Sequence, residues 1–480
     1  MNCRRCDMGV RWLGRLQRLC SDQKSPLWFA QMDALEKLEI NPIRRGTDGA
    51  VELPGSKSIS NRALLLAALC DGSVELSGLL KSEDTELMRH CLAQLGVDLQ
   101  ESGPNRLKVQ GVGGSFPVKQ AELFVGTAGT VARLLVGILG VQEGGHYRVD
   151  GSPVMRRRPM KELTDLLIQL GCEFEWQGEP GSLPFVMHPN GFTKTCLQVD
   201  ARASSQVLSA ALMAAPLAGT DVTLSLNETG VRQPYVVMTC RMMQNFGIGK
   251  VHWNTSFTEF KVAGGSKYHS PTGFYAVEAD ASAASYFLTL PLVTGGSMRV
   301  EPFDSQGLQG DVAYADVLSK IGAQLTSTDR GLCVRWGKVP LEAHRFNFHA
   351  ISDTFMTLAA VSPLLPRPLR IEGIRHTRLQ ESDRVAAMAT ELERLGQEVE
   401  QGDDYLHVFP RRSELMEVAR AGVEIQTYRD HRIAMSFGVL GSKDLLGDQI
   451  PWLTVLDPRC CEKTYPGFFD DLSRLQGGSE

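Results

Sequence analysis

The sequence has no long apolar segment and no strong excess of charge of either sign. No stretch of about 18 uncharged, apolar residues occurs, so the sequence predicts no membrane-spanning helix. The net charge is −5 at pH 7 and the pI is about 6.1, which argues against nucleic acid or an anionic membrane as the main partner. Any cluster of Arg and Lys must therefore be confined to a small part of the molecule.

The usual signatures of metal and nucleotide sites are missing as well. The eleven cysteines are scattered through apolar surroundings, which is typical of a reduced, cytoplasmic protein. Cys3 and Cys6 form a CxxC without a second pair, and the adjacent Cys460 and Cys461 cannot easily face one metal. The segment GSKS does not fit the P-loop spacing, GVGGSF lacks the GxGxxG spacing, and no HExxH occurs. We expect neither a metal nor a cofactor.

Residues 1–35 differ from the rest of the chain. They are rich in Arg, with Cys and Trp, as some organellar transit segments are, but Asp7 and Asp22 and the lack of a Ser-rich stretch weaken that interpretation. We interpret them as an N-terminal extension outside the core fold, with Met32 as an alternative start.

A repeat of about 75 residues organises the remaining chain. Segments such as MRHCLAQLGVDLQ and YADVLSKIGAQLT predict a helix, a glycine and then a short strand. The separations of these glycines are 75, 76, 75 and 74 residues, at Gly96, Gly171, Gly247, Gly322 and Gly396. FFDDLSRLQGG is a weaker sixth copy.

A second series has the same period. Ser, Thr or Asp precedes an apolar, Ala-rich helix in six places, and we expect these residues to be N-caps: Ser58, Thr127, Ser204, Asp280, Asp353 and Asp430. The helices that follow are apolar on nearly all sides, so they should be buried. Six α/β units divide naturally into two similar domains of three. Six helix N-termini facing the space between the domains would attract anions.

Charged side chains cluster at the predicted starts of these helices. The first half supplies Lys57, Ser58, Ser60, Arg62, Thr127, Gly129, Arg133, Arg156, Arg157, Arg158, Ser204, Ser205 and Gln206, and the second half supplies Asp353, Glu381, Arg384, His431, Arg432 and Lys463. Arg forks and helix N-termini suit phosphates and carboxylates, and the number of cations predicts more than one anionic group. A carboxylate among bound anions indicates proton transfer or a contact with a substrate hydroxyl.

Each residue also has an ordinary structural interpretation when taken alone. The serines and Asp353 could simply cap helices, the arginines could form surface ion pairs, and Glu381 could pair with Arg384 at i,i+3. His431 could be a hydrogen-bonded structural histidine. A nucleophilic pair of Ser58 and Lys57 is a further alternative.

The motifs LPGSKSISNRALLLAALCDG, GTAGT, RRRPM, SSQ, DASAAS, ESDRVAAMATEL, DHRIAM and EKTYPGF together resemble the 5-enolpyruvylshikimate-3-phosphate synthase family. The resemblance spans about residues 36–476, in the family's order. It implies an α/β protein with two similar domains, each an inverse α/β barrel of three repeats. Residues 36–55 plus 277–480 would form one domain and 56–276 the other.

The resemblance also implies an activity. The family transfers the enolpyruvyl group of phosphoenolpyruvate to the 5-hydroxyl of shikimate 3-phosphate and releases phosphate, in aromatic amino-acid biosynthesis, without a metal or an organic cofactor. The resemblance also implies that the protein is a monomer and lies in the cytoplasm. By position, Asp353 resembles the base, and Glu381, helped by Lys57, resembles the acid of an addition–elimination mechanism.

The binding residues follow from the same positions. Shikimate 3-phosphate would be held by Lys57, Ser58, Arg62, Ser204, Ser205, Gln206, Tyr235, Asp353 and Gln380. Phosphoenolpyruvate would be held by Lys57, Gly129, Arg158, Gln206, Arg384, Arg432 and Lys463.

Three positions depart from the pattern of many relatives, namely Gln380 in place of Lys, Arg232 in place of Ser and Thr127 in place of Asn. We interpret them as variation within the family, with Arg378 as a nearby cation that could compensate for Gln380. Two other functions remain open. A related enzyme of the same fold uses UDP-N-acetylglucosamine and typically has a reactive Cys in a mobile loop. A non-catalytic, anion-binding homologue is the second alternative, which the presence of both Asp353 and Glu381 disfavours.

Overall fold

Six helices with almost no polar surface occupy the interior of the protein, and short strands surround them. The computed structural model describes residues 36–476 except 45, 203, 228–230, 232, 341 and 343. The predicted extension at residues 1–35 and the departure at Arg232 therefore lie outside the described residues. Within the described part, no helix is long and apolar enough to cross a membrane.

The helices of the described residues have the following bounds: α1 Lys57–Leu69, α2 Glu83–Gln94, α3 Gly129–Leu139, α4 Pro153–Arg156, α5 Lys161–Gln169, α6 Ser205–Ala214, α7 Gln233–Asn245, α8 Ala281–Thr294, α9 Tyr314–Lys320, α10 Phe355–Val361, α11 Arg384–Arg394, α12 Arg412–Ala421, α13 His431–Gly441 and α14 Phe468–Gln476.

The strands are β1 Lys37–Glu39, β2 Thr47–Glu52, β3 Ser73–Ser77, β4 Asp98–Gly103, β5 Arg106–Gln110, β6 Gln120–Phe124, β7 His146–Asp150, β8 Glu173–Trp176, β9 Phe185–His188, β10 Cys196–Val199, β11 Val222–Leu226, β12 His252–Trp253, β13 Glu259–Val262, β14 Phe274–Ala276, β15 Gly296–Glu301, β16 Ala323–Ser327, β17 Leu332–Trp336, β18 His344–Asn347, β19 Leu369–Glu372, β20 Glu398–Gln401, β21 Tyr405–Phe409, β22 Val423–Ile425 and β23 Leu453–Leu456.

The strands repeat one small sheet. Each four-stranded sheet has a parallel pair followed by two antiparallel strands, in the orders β14-β3-β5-β4, β6-β7-β9-β8, β10-β11-β13-β12, β2-β15-β17-β16 and β18-β19-β21-β20. In the sixth sheet β22 and β23 are parallel, and β1 pairs antiparallel with β23. A parallel pair needs a crossover connection, which explains why a helix so often separates its two strands.

The buried helices form two groups. Helix α3 packs against α1 and α6, whereas α8, α10 and α13 pack against one another. All residues of α3, α10 and α13 are buried, as the apolar sequences predicted. One apolar core runs from Ile59 to Val277, and a second combines residues 40–53 with residues 283–472. The proposed division into two domains stays a prediction, and the two separate cores support it.

The chain passes between the two cores twice, and the crossing segments lie side by side. Strand β2 leads into α1 but pairs with β15, while β14 leads into α8 but pairs with β3. At the crossing, the Ser56 N–H donates to the Glu278 carbonyl at 2.8 Å and the Asp280 N–H donates to the Pro54 carbonyl at 2.8 Å. A Cβ at Gly55 would lie 2.0 Å from the Gly78 carbonyl oxygen, so only glycine fits there.

The predicted starts and ends of the helices are partly correct. The five repeated glycines all have positive φ, between 76° and 109°, which confirms that they turn the chain out of a helix. Ser204, Asp280 and Asp430 are N-caps whose side chains accept backbone N–H groups. The cap prediction is wrong for Ser58, which lies within α1, and for Thr127 and Asp353, since α3 and α10 begin two residues later.

We predict that β1 and the segment after it contribute several kcal/mol to stability. Ile40 and Ile43 are buried, their N–H groups donate to Leu453 and Ser442 carbonyls, and burial of one Ile side chain is worth about 1.5–3 kcal/mol. A chain that begins at Gly46 should therefore unfold at a lower urea concentration than a chain that begins at Met32. Equal urea midpoints for the two chains would contradict this role of β1.

Candidate active site

The N-terminal ends of five of the six buried helices, α1, α3, α6, α10 and α13, surround one polar cavity. Its volume is about 550 Å³ including the open mouth. Residues from both cores form the wall, which consists of Lys57, Ser58, Arg62, Asp84, Gly129, Thr130, Arg158, Ser205, Gln206, Tyr235, Asp353, Gln380, Glu381, Arg384 and Arg432. Thirteen of these were expected from the sequence, and Asp84 and Thr130 were not.

Two expected residues lie at the border of this cavity. Ser204 accepts the Gln206 N–H at 3.2 Å and so fixes the start of α6. The Lys463 ammonium lies 3.1 Å from Glu381 Oε1 and 3.3 Å from the Thr127 carbonyl oxygen, which joins groups from the two cores. The structure thus brings all the expected site residues into one neighbourhood.

Both carboxylate oxygens of Asp353 accept hydrogen bonds. Arg384 donates to Oδ1 at 3.1 Å, and Arg432 donates to Oδ2 at 2.9 Å. The Tyr235 hydroxyl, which comes from the other core, donates to Oδ2 at 2.8 Å. This carboxylate is therefore oriented by two cations and a phenol, and it is not a helix cap.

Arg384 is the centre of the ion-pair network. Its guanidinium is buried and donates to Asp430 Oδ2 at 2.8 Å, to Glu381 Oε2 at 2.9 Å and to Asp353 Oδ1. It also donates to the Gln380 side-chain oxygen. Burial would lower the pKa of Arg384, but the three carboxylates raise it above its ordinary value. Arg384 is therefore a permanent cation that ties both expected catalytic carboxylates to the N-cap of α13.

Glu381 is ionised in the free protein. Burial alone would raise its pKa, but Lys463, Arg384, Arg158 and Lys57 together lower that pKa well below its ordinary value. Its i,i+3 pairing with Arg384 is real, yet this pair lies inside the cavity wall and not on the surface. Glu381 is therefore deprotonated while no other anion shares these cations.

Asp84 is the acidic residue that the sequence analysis missed. It is buried in the first turn of α2, and its Oδ2 lies 3.8 Å from the Lys57 ammonium. Its Oδ1 has no hydrogen-bond partner among the described residues. Burial lowers the pKa of Lys57, while Asp84 and Glu381 raise it. The pattern SEDTEL looks like an ordinary acidic helix start, so only the fold could show that Asp84 faces Lys57.

Gly129 provides room for two arginines. A Cβ at this position would lie 2.8 Å from Arg158 Nη1 and 2.9 Å from Arg133 Nη1. Arg133 in turn donates to the Gln206 side-chain oxygen at 3.1 Å and to the Pro159 carbonyl at 2.9 Å. Burial, with Arg158 next in effect, lowers the pKa of Arg133 to about 9.

Some neighbouring residues serve other purposes. In the RRR run, Arg156 forms a two-bond pair with Asp150 and only Arg158 lines the cavity. Arg378 does not replace the cation missing at Gln380, because its guanidinium binds Asp383 through two bonds at 2.8 and 2.9 Å.

His431 is not the hydrogen-bonded structural histidine of the ordinary interpretation. It is fully buried, and neither ring nitrogen has a hydrogen-bond partner among the described residues. Burial, followed by the charges of Arg432 and Lys57, lowers its pKa well below the ordinary value, so the ring is neutral.

The fold and the cavity define an α/β protein with two separate apolar cores and a polar cavity, whose wall combines several cations with carboxylates. The family described as EPSP synthase (3-phosphoshikimate 1-carboxyvinyltransferase) matches residues 43–472. This chain belongs to that family. The resemblance inferred from the motifs is therefore confirmed.

Individual relatives agree with this assignment. A 3-phosphoshikimate 1-carboxyvinyltransferase from Opitutus terrae is 46% identical over 445 residues, 92% of this chain and 97% of the relative. One from Cellvibrio japonicus is 41% identical over 442 residues, 92% of this chain and all of the relative. An EPSP synthase structure from Acinetobacter baumannii has a TM-score of 0.71 at 22% identity, covering 92% of this chain and 98% of that one. That likeness confirms the expected fold class.

We predict that Asp84 keeps Lys57 protonated. Because a nearby anion favours the charged ammonium, Asp84→Asn should lower the pH at which Lys57 becomes reactive. The rate of reductive methylation of Lys57 can be followed across a pH series by peptide mass spectrometry. Glu83→Gln removes a charge from the same helical turn and serves as the control. An unchanged Lys57 profile in Asp84→Asn would contradict the prediction.

Proposed function

We propose that this chain transfers the enolpyruvyl group of phosphoenolpyruvate to the 5-hydroxyl of shikimate 3-phosphate with release of phosphate. The name of its relatives, 3-phosphoshikimate 1-carboxyvinyltransferase, supports the transfer of a carboxyvinyl group to this acceptor. The observation that carries the proposal is the pair of carboxylates, Asp353 and Glu381, bound to one buried guanidinium inside a cationic cavity. An anion-binding protein without chemistry would gain nothing from two carboxylates among its cations.

The two substrates would occupy different parts of the cavity. We assign shikimate 3-phosphate to Lys57, Ser58, Arg62, Ser204, Ser205, Gln206, Tyr235, Asp353 and Gln380. Supporting this, the buried Ser205 hydroxyl has no hydrogen-bond partner among the described residues and lies in the cavity wall. We assign phosphoenolpyruvate to Lys57, Gly129, Arg158, Gln206, Arg384, Arg432 and Lys463. The buried Nε of Arg158 also has no hydrogen-bond partner among the described residues, as expected of a guanidinium that binds an anionic substrate.

The addition step needs a base for the acceptor hydroxyl. Asp353 would take the proton of the 5-hydroxyl while the alkoxide oxygen bonds to the central carbon of phosphoenolpyruvate. Arg384 and Arg432 hold this carboxylate in one orientation, so its reorganisation during the reaction is small. Tyr235 would share or release its hydrogen bond to Asp353 when the substrate hydroxyl arrives.

The same step needs an acid for the methylene carbon. Glu381 would give its proton to that carbon, which becomes a methyl group in the tetrahedral intermediate. In the elimination, a methyl proton returns to the Glu381 carboxylate and the phosphate leaves with the C–O electron pair. Lys57, Arg158 and Lys463 would stabilise the departing phosphate. One well-placed hydrogen-bond donor typically lowers the activation free energy of such a step by about 3 kcal/mol.

One alternative can be weighed against this assignment. The related enzyme that acts on UDP-N-acetylglucosamine typically uses a reactive thiolate, whereas burial raises the pKa of Cys461, next to the Lys463 loop, well above the usual range. The free cysteines of the described residues support a cytoplasmic location.

Phosphate release tests the proposed function directly. We expect release with phosphoenolpyruvate plus shikimate 3-phosphate and none with UDP-N-acetylglucosamine as acceptor. Asp353→Asn and Glu381→Gln should each lower kcat by roughly 10²–10⁴-fold, because each removes one proton transfer and leaves the shape of the cavity. Asp165→Asn, at an exposed carboxylate paired with Lys161, is the control. Turnover at the wild-type rate by Asp353→Asn would refute its role as base.

We also predict that phosphoenolpyruvate binding takes up a proton. Its phosphate and carboxylate would share the cations that now hold Glu381 ionised, so the pKa of Glu381 should rise and the group should become the required acid. Calorimetric titrations in buffers of different ionisation enthalpy, with the non-reactive 5-deoxyshikimate 3-phosphate bound, report the proton count. We expect up to one proton for the wild type and a smaller number for Glu381→Gln. Equal uptake by both proteins would assign the proton elsewhere.

A further inference from the structure

A second, smaller cavity adjoins the proposed active site. The two cavities share Lys57, Ser58, Tyr235 and Arg432 as wall residues. The smaller one is lined mainly by polar residues and has room for about one water molecule. Its far wall contains Asp311, a buried carboxyl group that has no role in the mechanism above.

Asp311 lies in a short 3₁₀ turn, Gly310–Ala313, against the first turn of α8. The hydroxyl of Ser282, on that turn, donates to its Oδ2. No Lys, Arg or His nitrogen of the described residues forms an ion pair with Asp311, whereas Asp353 has two guanidinium partners. Tyr235 and Arg432 both donate to Asp353 Oδ2 and both line the small cavity together with Asp311, so they connect the two carboxyl groups. The two carboxyl groups nevertheless have very different surroundings, an arrangement that separates their proton affinities.

The groups around Asp311 shift its pKa in opposite directions. Burial raises its pKa most, followed by the negative charge of Asp353, and Asp280 adds to this. The Ser282 hydrogen bond and the positive charge of Arg432 lower it, and the result is a pKa of about 7. The other ionisable groups in the wall of the small cavity are Lys57 and Tyr235. Asp311 thus changes charge near neutrality.

We propose that Asp311 is a positioning residue that sets the basicity of Asp353. The inference rests on the proposed role of Asp353 as the base. Repulsion between two carboxylates is mutual, so an ionised Asp311 makes Asp353 a stronger base and a protonated Asp311 makes it a weaker one. Ser282 and Arg432 decide at which pH the change occurs.

Three variants test this inference. Asp311→Asn keeps an acceptor for the Ser282 hydroxyl but is permanently neutral. Ser282→Ala removes the hydrogen bond that favours the ionised form, so it should move the ionisation of Asp311 to higher pH. Asp316→Asn, at an exposed carboxylate in the adjoining helix α9, is the matched control.

The first measurement uses the substrate-free protein and does not depend on catalysis. An infrared pH titration of the wild type should show the band of a protonated buried carboxyl that disappears with a midpoint of about 7. The band should be absent in Asp311→Asn, move to a higher midpoint in Ser282→Ala and stay unchanged in Asp316→Asn. Persistence of the same titration in Asp311→Asn would overturn the assignment of the group.

The second measurement is the pH dependence of kcat at saturating substrates. Above about pH 7, Asp311→Asn should have a kcat about 3–10-fold below the wild type, the loss expected from up to one pKa unit of base strength. Below about pH 6 the two profiles should converge, because protonated Asp and Asn carry the same charge. The KM values should remain within about twofold. Superimposable profiles at all pH values would overturn the coupling.

The two readouts separate this inference from the proposed function. An inactive wild-type protein with the expected infrared titration would refute the proposed reaction but leave Asp311 as the titrating group. An active wild-type protein without that titration would refute the inference alone. If Asp311→Asn proved unstable in a thermal melt, Ser282→Ala would still have to show the upward shift in both measurements.

Discussion

The buried guanidinium of Arg384 is the interaction on which the candidate site depends. It binds the carboxylates of Asp353 and Glu381 and also that of Asp430, the N-cap of α13. A buried cation is unfavourable unless anions surround it, so these acids and Arg384 require each other. The same helix α13 carries Arg432, which completes the hold on Asp353. One network therefore determines where both proposed proton-transfer groups lie.

The network also explains why a site for anions contains so much negative charge. Only small parts of the Lys57 and Glu381 side chains are exposed, 12% and 13%, and each partly neutralises the field of the other. Without Asp84, Asp353 and Glu381, the converging cations and helix N-termini would repel one another at short range. The acids therefore make the cationic cavity possible. In the proposed function, substrate anions would compete with these acids for the same cations, and this competition would link binding to catalysis.

Much of the fold could be predicted because the signals are local. A glycine after a helix and a long apolar helix depend on a few neighbouring residues, and Gly96 and α3 appear as expected. Helix starts at the site were harder, since Asp353 binds arginines from distant segments instead of a nearby N–H. The exchange of β2 and β14 between the two cores has no local signature. Motifs that resemble a family indicated the site residues, whereas Asp311 and Asp84 occur in ordinary sequence contexts.

The crossing of the two chain segments places the connection between the cores directly beside the site. Lys57 follows the crossing at Gly55 at once, and its N–H donates to the side chain of Asp280, which caps α8. Asp280 also acts on Asp311, which faces Arg432 across the small cavity. The segments that connect the two cores therefore also contact groups of the candidate site, since Asp280 accepts the Lys57 N–H and its charge acts on Asp311. If Asp311 sets the basicity of Asp353 as proposed, the electrostatics of the site depend on the same short segments that join the two cores.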